Sequence, residues 1–197
     1  AITSPAKGDG KSTIVSNLGI AFSEAGYNTL LIDVDLRRPK LHKYLGLSSK
    51  QGLTDYFEGS LPISNLVKST DINSSLSVIT TGSTSKTHKS IIGTTKFKEL
   101  IDNLQRSFDI ILFDTPPFGI ISDSTAVLKF SQSTIVVTRY QETNKGLLFR
   151  TIDELEQIQA NVTNIVLNEF DYRKETENYY GAGYFEALYD NYSEYVS

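Results

Sequence analysis

The chain of 197 residues contains no cysteine, no methionine and no tryptophan. Without cysteine, it can form no disulfide, no thiolate nucleophile and no cysteine-based metal site. No apolar run approaches the roughly 20 residues that a transmembrane helix needs. Positive charge is also limited, because 19 lysines and arginines face 23 acids and leave a net charge of −4. A general nucleic-acid-binding surface is therefore not expected, although a local basic patch is compatible with this balance.

What remains is the composition of an ordinary globular domain. Hydrophobic residues make up 39% and charged residues 21%, and the length is enough for one sizeable domain with a full core. Methionine is missing even at residue 1, and the chain opens on a short apolar stub, residues 1–3. We therefore expect the chain to begin inside its first strand, with a natural segment upstream of it.

Apolar runs alternate with amphipathic ones along most of the chain. Strands are predicted at 1–3, 29–34, 76–80, 110–114, 134–139 and 164–168, and helices at 11–25, 94–106, 122–130 and 145–159. The strands are short and rich in Ile, Val and Leu, which is typical of strands buried on both faces. This pattern predicts an α/β fold, a mostly parallel β-sheet with helices on both faces. Ligands of such sheets bind at the carboxyl ends of the strands.

A glycine-rich sequence follows directly after the first predicted strand. It reads Thr-Ser-Pro-Ala-Lys-Gly-Asp-Gly-Lys-Ser-Thr over residues 3–13 and leads into a predicted helix. In this context, backbone N–H groups and a helix N-terminus bind the phosphates of a nucleotide. Lys11 can reach the β- and γ-phosphates, and the Ser12 hydroxyl can bind Mg²⁺. Gly8 and Gly10 leave room for the backbone to approach the phosphate. The alternative is an ordinary glycine-rich turn before a helix.

Two further strands are predicted to end in carboxylates. The first, residues 30–35, places Asp33 and Asp35 on the same side, because side chains alternate along a strand. One of them can bind Mg²⁺ through water, and the other can accept the proton of an incoming hydroxyl. The second strand, residues 110–114, ends in Asp114, as expected of a further carboxylate associated with Mg²⁺. A solvated acidic turn is the alternative for the first pair.

The end of the chain differs in composition. Residues 171–197 carry seven of the eleven tyrosines, set among glycine, serine, asparagine and acids. Glycine is costly inside a helix, so we predict a solvated tail whose tyrosines can accept phosphate; the alternative is an amphipathic helix that buries them. The predicted organisation is a domain over 1–170 and a tyrosine-rich tail over 171–197. Residues 81–93 are polar and are predicted to form a mobile loop over the site.

Together these segments resemble the P-loop group that contains the partition and septum-site ATPases, and most of all the bacterial tyrosine kinases of capsule and exopolysaccharide assembly. The resemblance covers nearly the whole chain. Its specific parts are the Asp-x-Asp-x-Arg-x-Pro stretch at 33–39 and the tyrosine-rich end; the other matching segments are 8–13, 52–55, 109–117 with Asp123, and 166–168. Partition ATPases carry a signature lysine five positions before the P-loop lysine, where this chain has Ala6. That difference disfavours the ATPase interpretation.

The resemblance implies a role for each site residue. Lys11 and Ser12 would hold phosphate and Mg²⁺, Asp33 would activate the tyrosine hydroxyl, and Asp35 and Asp114 would serve the water shell of the metal. Asn168 would bind the adenine edge. The implied nucleotide-binding set is Gly8, Asp9, Gly10, Lys11, Ser12, Thr13 and Asn168, and the implied phosphate acceptors are Tyr179, Tyr180, Tyr184, Tyr189, Tyr192 and Tyr195.

The resemblance also implies the function, an ATP- and Mg²⁺-dependent protein-tyrosine kinase that phosphorylates its own tail between subunits and regulates polysaccharide polymerisation and export. Such kinases imply a homo-oligomer, expected to be ring-like, protein tyrosine substrates, and a cytoplasmic place at the inner face of the membrane through the cytoplasmic segment of a membrane activator. No nucleic-acid partner is expected. The alternative is a partition-type ATPase switch that binds a partner or surface without phosphorylating protein. Two segments depart from the family pattern: Lys86–Ser90 in the polar loop, and Glu169 after Asn168.

Overall fold

The structure, a computed structural model, describes residues 1–83, 91–119 and 124–171. Its strands are β1 Ile2–Thr3, β2 Thr29–Asp33, β3 Lys68–Ser69, β4 Leu76–Ile79, β5 Ile110–Asp114, β6 Thr134–Arg139 and β7 Val162–Asn168. They form one sheet in the order β3-β4-β2-β5-β1-β6-β7. Every pairing is parallel except β3 with β4. The predicted mostly parallel sheet is thereby confirmed.

Helices connect these strands. They are α1 Lys11–Glu24, α2 Leu41–Tyr44, α3 Leu53–Glu58, α4 Thr95–Leu104, α5 Thr125–Phe130 and α6 Lys145–Gln157, with a 3-10 turn at Ile63–Asn65. Among the helices of the described residues, none combines the length and the apolar character that crossing a membrane requires.

Strand β2 explains why helices cover both faces of the sheet. All five of its residues are buried, and successive side chains point to opposite faces. Leu30 and Ile32 pack into a cluster with Phe97 of α4, whereas Leu31 packs into another cluster with Val15 of α1. A strand buried in this way needs apolar residues at consecutive positions, which accounts for the continuous apolar run in the sequence.

Three short elements were not anticipated from the sequence. They are β3, which has two residues, α2, which has four, and α3, which has six. A helical or strand period cannot be recognised over so few positions. Strand β7 begins two residues before its predicted start, and the register of its pairing with β6 shifts between Thr134 and Ile135. The predicted 122–130 helix is observed from Thr125, and residues 122–123 lie outside the described part.

The sheet brings the predicted motifs to one edge. Asp33 at the end of β2 pairs in register with Asp114 at the end of β5. Strand β1, whose end leads into the glycine-rich loop, lies between β5 and β6. Because parallel strands direct their carboxyl ends to one edge, the loop and the acidic strand ends become neighbours there.

Candidate active site

The glycine-rich loop links β1 to α1 in a conformation that depends on glycine. Gly8 and Gly10 have φ values of 97° and 98°, in the left-handed region that residues with a side chain rarely adopt. A Cβ added to Gly10 would also overlap the Asn168 side-chain amide. That amide donates a hydrogen bond to the Asp9 carbonyl (3.0 Å). The loop is thus held against the end of β7.

Asp9 stabilises the loop from inside. Its side chain is 3% exposed. One carboxylate oxygen accepts a hydrogen bond from the Ala6 backbone N–H (2.8 Å), and the other accepts one from the Thr143 hydroxyl (2.9 Å). The carboxylate therefore stabilises the loop from within. Only the backbone of Asp9 is left to contact a ligand.

A cavity of about 510 Å³ opens at the carboxyl edge of the sheet, above the N-terminus of α1. It is lined by Lys7, Gly8, Gly10, Lys11, Ser12, Thr13, Asp35, Arg37, Arg38, Lys40, Tyr44, Pro117 and Glu169. A second cavity, of about 530 Å³, lies at the opposite ends of the strands against Phe22, Phe108 and Phe130, and none of the predicted site residues lines it. Of these two cavities, the first is therefore the candidate site for the predicted phosphate chemistry.

The structure divides the predicted site residues into two groups. Gly8, Gly10, Lys11, Ser12, Thr13 and Asp35 line the cavity, whereas Asp9, Asp33, Asp114 and Asn168 are not among its lining residues. The phosphate-accepting tyrosines predicted at 179–195, Asp123 and the Lys86–Ser90 segment lie outside the described residues.

Two buried carboxylates sit side by side beneath the cavity. Asp33 is 0% exposed and Asp114 is 1% exposed. Burial raises the pKa of Asp114 to about 6, partly opposed by a hydrogen bond from Ser12 and by the Lys11 ammonium. Burial, followed by the charge of Asp114, raises the pKa of Asp33 well above its ordinary value. Two buried carboxylates that repel each other favour a state in which one of them is protonated.

Lys11 faces these acids from the start of α1. Its side chain is 8% exposed, and burial lowers its pKa, while the charges of Asp114, Asp35 and Asp9 oppose that shift. A buried ammonium among carboxylates is positioned to receive an anion such as a phosphate.

The donor set fits a magnesium ion. One Asp114 oxygen is buried and has no hydrogen-bond partner among the described residues, and the Ser12 hydroxyl is hydrogen-bonded to that carboxylate. No group of three or more His, Asp or Glu side chains in the described part of the chain forms a dedicated metal cage. Few protein ligands, all of them oxygen, suit Mg²⁺, which keeps water and substrate phosphate in its shell.

Asp33 and Asp35 occupy different environments. The two Asp33 oxygens accept hydrogen bonds from the backbone N–H groups of Asp35 and Leu41 (both 3.2 Å). Asp35 accepts one from the Arg38 N–H (3.1 Å) and lines the cavity. Because β2 ends at Asp33, strand alternation does not determine where Asp35 points. Asp33 organises the 34–41 connection, and Asp35 faces the ligand space.

Sequence reasoning missed part of the cavity wall. Arg38, Lys40 and Tyr44 all follow Asp35 within nine residues and reach the cavity because the connection turns back into α2. Their closeness to Asp35 in the sequence is the feature from which their place in the cavity wall could have been predicted. Glu169, on the far side, has a left-handed φ of 56° and pairs with Arg139 (2.5 Å).

The 52–55 segment, which carries part of the family resemblance, supports the end of β4. Asp55 accepts hydrogen bonds from the Gly52 N–H (2.8 Å) and the Ser83 N–H (3.1 Å), and the Thr54 hydroxyl donates to the Thr81 carbonyl (2.9 Å). A Cβ at Gly52 would overlap the Thr80 carbonyl. The segment therefore fixes the path of the chain as it leaves the sheet next to Asp33.

A parallel sheet whose first strand leads through this loop into a helix defines a P-loop NTPase, a nucleotide-binding protein. Residues 1–193 match the family model described as "ParA: NUBPL iron-transfer P-loop NTPase".

Comparison with individual proteins narrows the family. The chain is 33% identical over 171 residues to tyrosine-protein kinase CpsD of Streptococcus pneumoniae serotype 4, covering 86% of this chain and 75% of that protein. It is 32% identical over 168 residues to tyrosine-protein kinase ptk of Acinetobacter johnsonii, covering 85% of this chain but only 23% of that longer protein. The crystal structure of the chimerical protein CapA2B2 superposes with a TM-score of 0.82 at 31% identity, over 86% of this chain and 74% of that one. The chain belongs to the family of bacterial protein-tyrosine kinases, as its sequence motifs predicted.

Proposed function

We propose that this chain is the catalytic domain of an ATP-dependent protein-tyrosine kinase that phosphorylates tyrosines of its own 171–197 segment between subunits. The observation that carries the proposal is the meeting of the P-loop with Asp35, Asp33 and Asp114 at one edge of the sheet. Kinship with tyrosine kinases supports this function over the ATPase switch.

In the proposed reaction, the P-loop backbone and Lys11 bind the phosphates of ATP. Ser12 and Asp114 would hold Mg²⁺ together with its water shell. Mg²⁺, when bound, neutralises charge on the phosphate oxygens. Lys11 adds a second positive charge at the transferred group, and its burial keeps water from weakening that interaction. The Asn168 amide nitrogen is bonded to the Asp9 carbonyl, so we assign only its amide oxygen, at the end of β7, to the adenine edge.

The acceptor hydroxyl approaches from the open side of the cavity. There its oxygen forms a bond to the terminal phosphorus while the bond to the ADP oxygen breaks, and the phenolic proton passes to a carboxylate. The family resemblance implied Asp33 for this carboxylate; we assign the role to Asp35, because Asp35 lines the cavity and both Asp33 oxygens are bonded to backbone N–H groups. Tyrosine has an ordinary pKa of about 10, so orientation and charge neutralisation contribute more than deprotonation before attack.

Substitution distinguishes the roles of Asp33 and Asp35. Asp35→Asn is expected to lower phosphoryl transfer by about 10²-fold or more while the protein keeps its stability, because it loses a proton acceptor that lines the cavity. Asp33→Asn, unlike Asp35→Asn, is expected to lower the urea midpoint, because an amide cannot accept both backbone N–H bonds. Initial rates and urea unfolding of both variants check this. A stable but inactive Asp33→Asn, beside an active Asp35→Asn, would return the role to Asp33.

The wider function is proposed from the family. We place the kinase in a homo-oligomer at the inner face of the membrane, where the cytoplasmic segment of a membrane protein activates it and where it regulates polysaccharide polymerisation and export. In such an assembly a tail can reach a neighbouring site at high effective concentration. The acceptors are Tyr179, Tyr180, Tyr184, Tyr189, Tyr192 and Tyr195.

Transfer between subunits is tested by mixing two chains. One carries Lys11→Met and an intact tail; the other is active, with all six acceptor tyrosines changed to phenylalanine. Incubation with Mg·ATP is expected to label the tail of the Lys11→Met chain, measured by anti-phosphotyrosine blotting and mass spectrometry, and the Lys11→Met chain alone serves as the control. ATP hydrolysis with no phosphotyrosine in the mixture would support the ATPase switch instead.

A further inference from the structure

The cavity wall carries more positive charge than the proposed chemistry uses. Lys7, Lys11, Arg37, Arg38 and Lys40 line it, against the two acids Asp35 and Glu169. The whole chain, in contrast, has a net charge of −4. All of these cations except Lys11 have exposed side chains. Positive charge is therefore concentrated at the mouth of this one cavity, outside the buried lysine that serves the phosphates.

Arg38 and Lys40 line the same cavity as Asp35, the carboxylate to which we assign the phenolic proton. The Arg38 backbone N–H is bonded to the Asp35 carboxylate, and Lys40 occupies the N-cap position of α2. Lys40 is exposed and lines the same cavity as Lys11 and Asp35. Within the described part of the chain, neither Arg38 nor Lys40 takes part in a salt bridge.

We propose that Arg38 and Lys40 form a basic rim that binds acidic side chains beside the target tyrosine, so that the preferred acceptor is an acidic tyrosine-containing segment. This inference rests on the proposed kinase function and names its substrate class. The segment that supplies the proposed acceptors has this character: residues 171–197 contain the acids Asp171, Glu175, Glu177, Glu186, Asp190 and Glu194 against Arg173 and Lys174. Opposite charge attracts the segment and orients it before the hydroxyl meets Asp35.

The size of the preference follows from the exposure of the rim. An exposed ion pair changes affinity by roughly two- to fivefold, so several acids meeting two cations give about a tenfold preference. Screening at physiological salt acts over about 8 Å. The preference is therefore expected to shrink when salt is raised, whereas an apolar contact would keep its strength.

Equilibrium binding of two matched peptides tests the rim. The first is a fluorescein-labelled copy of residues 183–197; the second carries Glu186→Gln, Asp190→Asn and Glu194→Gln. Anisotropy is measured on the full chain saturated with Mg²⁺ and a non-hydrolysable ATP analogue, so that the phosphate loop is filled. The acidic peptide is expected to bind about tenfold more tightly. The double variant Arg38→Glu/Lys40→Glu is expected to abolish or invert this ratio.

A charge-matched variant controls for net charge. Lys98→Glu/Lys129→Glu makes the same change at exposed positions of α4 and α5 that do not line the cavity, and it is expected to keep the tenfold ratio. If the charge-reversed rim fails to fold, Arg38→Gln/Lys40→Gln serves in its place and is expected to reduce the ratio to about one.

Three results would overturn the proposal. The first is equal affinity of the wild-type chain for both peptides. The second is an unchanged ratio in the rim variants. The third is that the acidic peptide binds the nucleotide-free chain but is released when the ATP analogue is added, which would mean that the peptide occupies the phosphate loop. If the ratio is one but phosphatidylserine vesicles bind in a rim-dependent way, the rim serves an anionic membrane. Because peptide binding needs no phosphoryl transfer, an inactive chain that keeps the preference would contradict only the kinase function.

Discussion

Replacing Lys11 with methionine is expected to lower phosphoryl transfer by about 10³-fold and to weaken binding of Mg·nucleotide. Lys11 is buried at the start of α1, and the charges of Asp114 and Asp35 act on its pKa. Methionine has a similar length and suits a buried position, so the fold is retained while the charge is lost. Without that charge, negative charge on the transferred phosphoryl group lacks its protein partner when the bond to ADP breaks.

Titration calorimetry with Mg·ADP and anti-phosphotyrosine blotting measure the two effects of Lys11→Met. Lys98→Met is the matched control, because it removes the same charge from an exposed position of α4 that does not line the cavity. It is expected to retain wild-type affinity and activity. If Lys11→Met also retained both, the assignment of Lys11 to the phosphates would be wrong.

The sequence predicted those parts of the site that depend on local chemistry. The loop conformation follows from glycines that adopt positive φ, and continuous apolar strands predict a sheet buried on both faces. Asp114 lies at the end of β5, as expected. Family membership, inferred from the motifs, is confirmed by the kinase relatives.

What the sequence did not predict depends on contacts between distant residues. Asp9 is turned inward by Thr143, 134 positions away, and Asn168 reaches the loop from 159 positions away. No local pattern reports such pairings. Asp33 likewise accepts a hydrogen bond from the Leu41 N–H at the start of α2, and α2 is too short to show a helical period.

Asp114→Asn is expected to stabilise the nucleotide-free, metal-free protein by about 2–3 kcal/mol near neutral pH while it reduces Mg²⁺-dependent transfer. Burial raises the pKa of Asp114 from 3.8 to about 6, against the opposing effects of Ser12 and Lys11, with Asp35 adding to the rise and Lys40 opposing it. Between these two values the folded state binds more protons than the unfolded state. The contribution of this group to stability is therefore complete below pH 3.8 and is lost as pH rises through 6.

Asparagine keeps the shape of the side chain and never ionises, so the gain over wild type is expected to be small at about pH 4.5 and full at about pH 7.5. Urea unfolding with EDTA at both values measures it, and Asp102→Asn, an exposed change on α4, is expected to give no comparable gain. Adding Mg·ADP is expected to stabilise wild type more than Asp114→Asn, because the paired, ionised carboxylate then has a cation to bind. Equal stability of the two proteins at about pH 7.5 without metal would mean that the buried carboxylate carries no such cost. A lower stability of Asp114→Asn at about pH 7.5 would mean that the hydrogen bond and charges around Asp114 stabilise the ionised carboxylate by more than its burial costs. Either result would contradict the prediction that ionised Asp114 destabilises the protein when no metal is bound.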